Sequence, residues 1–149
     1  MEELAQSTSQ LKATDTNNQG YLWQGSSYEG LVVNFMEVMS SFKGAFWIDE
    51  QTQAVGLTQP ATLAAVKALQ QLIQKGISPE AVTNYTEQSS LKAFQSGQAT
   101  FLRGWPYFQG ELKDMDWGDE VAIAPPLSCL LYTSPSPRDL STSRMPSSA

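Results

Sequence analysis

The chain has 149 residues, nine basic and fifteen acidic, with no histidine and a formal net charge of -6. That balance, with no Lys/Arg cluster, is a poor match for nucleic acid, and the missing histidine removes the commonest general base and metal ligand. No run approaches the ~20 apolar residues of a membrane span, and a hydrophobic fraction of 41% can fill one domain core.

Met1-Glu2-Glu3-Leu4 lacks a basic and then apolar leader pattern. For a complete protein that predicts the cytoplasm; for a fragment it predicts nothing. Glu2 to about Lys12 reads as the end of a helix, followed by a polar loop from Thr14 to Gly20. Tyr21 to Gln24 reads as a short aromatic strand. Ser26 or Ser27 is expected to cap a helix running to about Phe42, with Leu31, Phe35, Val38 and Met39 at helical spacing. Phe46 to Ile48 and Ala54 to Leu57, around Asp49 to Gln53, form an expected hairpin.

Pro60 opens the clearest helix, with Leu63, Val66, Leu69, Leu72 and Ile73 as its inward stripe and Gly76 as its stop. Ile77 to Asn84 reads as a loop. Thr86 caps a short helix, Glu87 to Ser96, with Leu91 and Phe94 inward. Ala99 to Leu102 is expected to be a buried strand. Pro106 begins another short helix, to about Leu112. Val121 to Ala124 reads as a last strand. Strands alternating with helices give an α/β class.

The chemistry is concentrated in two aromatic-polar stretches. Gly20 to Gly30, GYLWQGSSYEG, sets Tyr21, Trp23 and Tyr28 among Gln24, Ser26, Ser27 and Glu29. Arg103-Gly104-Trp105-Pro106-Tyr107 repeats the mixture. Flat apolar faces beside amides, hydroxyls and carboxylates suit a sugar ring, whose C–H face stacks while its hydroxyls need fixed partners. The same aromatics would serve equally as core, and spacing alone leaves the two readings even.

No phosphate loop or nucleophile elbow is present. Asp114, Asp116, Asp119 and Glu120 cluster without the spacing of a calcium loop and read as a solvated acidic turn. Glu29 and Glu37, two turns apart, are conceivable as a glycosidase pair, but Glu37 reads as a surface residue. No cofactor or metal is expected.

From about Ser128 the composition turns Ser- and Pro-rich, the signature of a disordered tail. Cys129 to Asp139, CLLYTSPSPRD, resembles a translated sequencing adapter, and Ser143 to Ala149, SRMPSSA, resembles the flow-cell end of the same adapter in the same frame. The expectation is a biological segment over 1–127 and an adapter-derived tail over 128–149. Cys129 is then not native, and the encoding nucleotides would decide the matter.

Within 1–127, YLWQGSSYEGLVVNFMEV and SLKAFQSGQATFLRGWPYFQG, separated by a proline-opened helix, resemble the middle of an ABC-transporter extracellular solute-binding protein. The likeness is greatest to the maltose/trehalose group. It implies a type II periplasmic-binding-protein fold, mostly the second of two lobes that close on a sugar. It further implies a receptor and not an enzyme, a di- or oligosaccharide ligand of maltose or trehalose type, and ABC permease partners. The location would be periplasmic or extracellular, with the membrane reached only through an anchor or the permease.

Matched to the motifs, Tyr28 and Glu29 fall at the inter-lobe cleft, and Trp105 and Tyr107 stack on the sugar. Arg103 supports or contacts, and Gln24 and Trp23 are weaker candidates. Gly104 departs from the family, which more often has a polar residue such as Asn there, and this puts one hydrogen bond in doubt. Alone, the chain is expected to bind sugar very weakly or not at all. The alternatives are a glycoside-active domain with Glu29 as its acid, or a structural α/β domain whose aromatics are all core.

Overall fold

The computed structural model describes residues 2–42, 53 and 55–125. Most of the expected hairpin and the whole of 128–149 lie outside the described residues. Among the described residues five helices accompany a minimal sheet: α1 (Glu2–Thr14), α2 (Glu29–Ser41), α3 (Pro60–Gln74), α4 (Glu87–Gln95) and α5 (Phe108–Lys113). The strands are β1 (Tyr21–Leu22) and β2 (Phe101–Leu102).

β1 and β2 run parallel, Tyr21 opposite Phe101 and Leu22 opposite Leu102. A parallel pair needs a long crossover, and here it carries α2, α3 and α4. The ladder is shorter than the sequence suggested at both strands. The segment at 77–85 completes β1's other side: Tyr21 N–H donates to the Ile77 carbonyl at 2.9 Å, and Gly25 N–H to that of Val82 at 3.0 Å. Gly20 enters β1 at φ +76°, where a Cβ would lie 2.4 Å from the Ile77 oxygen, so only glycine fits.

The core gathers on this sheet. Leu22, Val82 and Ala65 are fully enclosed, with Leu4, Trp23, Val38, Met39, Leu69, Leu72 and Ile77 around them. Phe101 and Leu102 are half-buried, not fully buried as a core strand would be.

α2 begins at Glu29, with Tyr28 at its N-cap position and no side-chain cap. Ser26 and Ser27 therefore do not cap it. Instead the Ser26 carbonyl accepts the Tyr28 N–H at 2.9 Å, which places the serines in the preceding turn. Glu29's charge complements the helix dipole in the first turn.

α3 starts with Pro60 and ends in a Schellman motif. Ile77 N–H donates to the Leu72 carbonyl at 2.8 Å and Gly76 N–H to that of Ile73 at 2.9 Å, with Gly76 at φ +66°. Its inward stripe is rotated from expectation. Thr62, Ala65, Leu69 and Leu72 are buried, while Leu63 is 50% and Val66 39% exposed. Thr62 can face inward because its hydroxyl donates to the Gly56 carbonyl at 3.0 Å. Gly56–Thr58 is a 3-10 turn, not the second arm of a hairpin. The loop at 77–84 also contains a 3-10 turn, Glu80–Asn84.

The expected strand at Val121 to Ala124 does not form. Among the described residues no strand pairs with it, and Ile123 is 71% exposed. An apolar run without a ladder partner gains neither hydrogen bonds nor burial, and it stays irregular.

Candidate functional site

The two aromatic-polar stretches meet on one side of the sheet. β2 leads directly into Arg103, whose N–H donates to the Leu22 carbonyl at 2.8 Å. That bond ties Arg103-Gly104-Trp105-Pro106-Tyr107 to the end of β1.

Trp23 and Gln24, expected as weaker ligand contacts, are buried beneath the surface. Trp23 donates its indole N–H to Ser78 Oγ at 3.1 Å. Gln24 Nε2 donates to Ser90 Oγ at 2.8 Å and to the Arg103 carbonyl at 2.9 Å, and its Oε1 accepts from Arg103 Nη1 at 2.9 Å. With their polar atoms so engaged, these side chains support the site from behind.

Arg103 is also a support. Its Nε and Nη2 form a two-pronged bond to Glu37, at 3.0 and 2.5 Å. The Arg103 side chain is 8% exposed and that of Glu37 37%. Glu37 is therefore an anchor and not a free surface acid. The guanidinium lies over the Trp105 ring, 4.5 Å from its centroid, a cation–π arrangement that holds the indole plane.

Beyond this layer Tyr28, Thr86, Glu87, Gln88, Trp105, Pro106 and Tyr107 line an open concavity of about 760 Å³. Tyr107 is 53% exposed and meets the Phe108 ring edge-on, 4.8 Å between centroids. Phe108 anchors it from the core. A Cβ on Gly104 would lie 2.2 Å from the Phe108 ring, so glycine at this position makes room for that anchor. The departure from the family pattern thus has a packing reason.

Tyr28 arches over the start of α2, its hydroxyl against Gly30, where a Cβ would come within 2.2 Å of it. The hydroxyl is buried beside the Glu87 carboxylate, yet its geometry falls short of a hydrogen bond. Burial, then the adjoining Glu87 carboxylate, pushes the Tyr28 phenol well above its usual range. Glu29 is exposed at the helix start and is not among the residues lining the concavity.

The sequence reading missed Glu87, the first residue of α4. Its Oε1 accepts the Trp105 indole N–H at 3.2 Å. Burial alone would raise its pKa; the neighbouring Tyr28 hydroxyl, its own backbone N–H, the Trp105 indole and the Arg103 charge outweigh that and hold it below the usual glutamate value. The available signal was its place one residue after a capping Thr86, whose N–H donates to Ser89 Oγ at 2.7 Å. Among the described residues no group of three His, Cys, Asp or Glu could hold a metal.

The half-exposed aromatic pair, its buried charge anchor and a carboxylate lie together at one shallow wall. No family model matches the chain. Over 88 residues, 59% of this chain, it is 38% identical to a protein of Deinococcus radiodurans described as a probable ABC transporter-binding protein, of which it spans 20%. Its fold matches a structure titled maltose-bound T. maritima MalE3, with a TM-score of 0.77 and 32% identity. That match covers 85% of this chain and 32% of the other. The chain is related to the solute-binding proteins of ABC transporters. Its fold is part of the type II periplasmic-binding-protein fold, and it spans a fifth of the curated relative's length and a third of the solved one's.

Proposed function

We propose that this solute-binding segment supplies one wall of a sugar cleft in an ABC importer receptor that works outside the cytoplasm and performs no catalysis. The single observation that carries the reading is the Trp105–Tyr107 platform, held from behind by Arg103 and Phe108 and open to solvent on its other side. Aromatic faces at fixed tilt suit the C–H faces of a pyranose. The breadth of the concavity suits a di- or oligosaccharide of maltose or trehalose type.

In the whole receptor a second lobe would close over the sugar, and closure would follow binding because only the closed form contacts the ligand from both sides. The segment alone, with half of the contacts, is expected to bind on the order of millimolar. Saturation-transfer NMR with maltose and trehalose tests this. Transfer to the sugar ring protons that is lost in Trp105→Ala supports it; equal transfer in that variant overturns it.

A glycosidase reading has less support. Glu29 and Glu37 share α2, but both Glu37 carboxylate oxygens are engaged by Arg103. A hydrolytic pair needs a second carboxylate free to act on water or substrate.

A further inference from the structure

We propose that Glu87 reads the ligand's hydroxyls at this wall and that it restricts the site to uncharged polyhydroxylated ligands, excluding uronic acids and sugar phosphates. The inference rests on the sugar reading above and adds a residue and a selection rule to it. A carboxylate offers about four acceptor positions. In Glu87 the Trp105 indole N–H occupies a position on Oε1, and the side chain lines the concavity. The indole bond fixes the carboxylate at the edge of the aromatic platform, where the hydroxyls of a stacked ring would project. The Tyr28 side chain lines the same wall beside it.

The charge balance around the concavity sets the selection. Glu87 stays ionised at neutral pH, and the charges of Glu87 and Glu111 are both felt at Tyr107. The cation nearest the platform, Arg103, is consumed by Glu37 and lies behind the indole. An anionic ligand would meet a carboxylate with no free guanidinium among the described residues to offset it, whereas a neutral sugar donates its hydroxyl protons to that carboxylate.

The test compares maltose, glucuronic acid and glucose 6-phosphate on the full chain at pH 7 by saturation-transfer NMR, for wild type and Glu87→Gln. Glutamine keeps an acceptor for the indole, so the platform persists; the indole resonance of Trp105 verifies this. Wild type is expected to take maltose and neither anion. Glu87→Gln should weaken maltose about fivefold, the difference between a charged and a neutral acceptor, and should begin to admit the anions. Maltose bound equally by both proteins, with the anions still excluded from the variant, overturns the Glu87 role and leaves the sugar reading standing. Transfer from wild type to the anions but not to maltose, with the indole resonance intact, overturns both.

Discussion

Replacing Glu37 by Gln is expected to destabilise the chain by about 2 kcal/mol. The Arg103 side chain is 8% exposed, so its charge has little water to fall back on once its partner is neutral. Removing one member of a fully buried pair costs about 3–5 kcal/mol. Glu37 is 37% exposed, however, and solvent screens part of the interaction, which brings the figure down to about 2 kcal/mol. For a chain of this size that corresponds to a fall in Tm of about 8 °C. Circular dichroism melts and urea titrations measure it. A double-mutant cycle isolates the pair: in the Arg103→Met background, where no buried charge remains to be stranded, Glu37→Gln should cost about 0.5 kcal/mol or less. Because Arg103 lies over Trp105, the fluorescence maximum of Glu37→Gln should also shift while secondary structure is retained. A cost below 0.5 kcal/mol for Glu37→Gln in wild type, or the same cost in both backgrounds, would refute the claim that this pair anchors the platform.

Gly104→Asn, the residue more usual in the family, should destabilise by about 1–3 kcal/mol in urea unfolding, because its Cβ meets the buried Phe108 ring; a neutral or stabilising result removes the packing explanation. Gly30→Ala should displace the Tyr28 ring, since the new methyl occupies the hydroxyl's place, and an unchanged Tyr28 spectrum in NMR would contradict this. Leu63→Lys should leave stability within about 0.5 kcal/mol, whereas Ala65→Lys should abolish cooperative melting, a contrast that checks the rotated stripe of α3. Glu87's pKa is lower in the folded chain than in the unfolded one, so its contribution to stability is present at neutral pH and is lost as pH falls through that lowered value, on the acid side of about 4.3. The Trp105 indole resonance should move in that window in wild type and remain still in Glu87→Gln.

Much of the fold could be read from local chemistry. Pro60 and Gly76 bracket α3 because proline suits a first helical turn and glycine suits the left-handed residue after a helix. Thr86 likewise marks α4. What could not be read were choices made by distant partners. Leu63 and Val66 look as apolar as Leu69, but the helix turns Thr62 inward because a carbonyl at Gly56 accepts its hydroxyl. Val121 to Ala124 has a strand's composition, yet strand structure requires a neighbour's hydrogen bonds, and none of the described segments supplies them.

The same reasoning reassigns the first aromatic stretch. Taken alone, Trp23 and Gln24 have the composition of a sugar contact, because an aromatic next to an amide looks identical whether it faces a ligand or the core. Their partners distinguish the two cases. Every polar atom of the Gln24 amide is committed to Ser90 or Arg103, and that commitment fixes the backbone from which Trp105 and Tyr107 project. Three separated parts of the chain, at 24, 37 and 87–90, converge on the Arg103–Trp105 unit. Glu37 holds the guanidinium, Gln24 the carbonyl and Glu87 the indole edge. A mobile tryptophan would lose rotamer freedom when a sugar stacks on it, whereas one held by Arg103 over its face and Glu87 at its edge has lost that freedom during folding. On the proposed sugar reading the buried polar network would contribute to affinity without touching a ligand, and its variants should weaken sugar binding in proportion to how far they free the Trp105 ring.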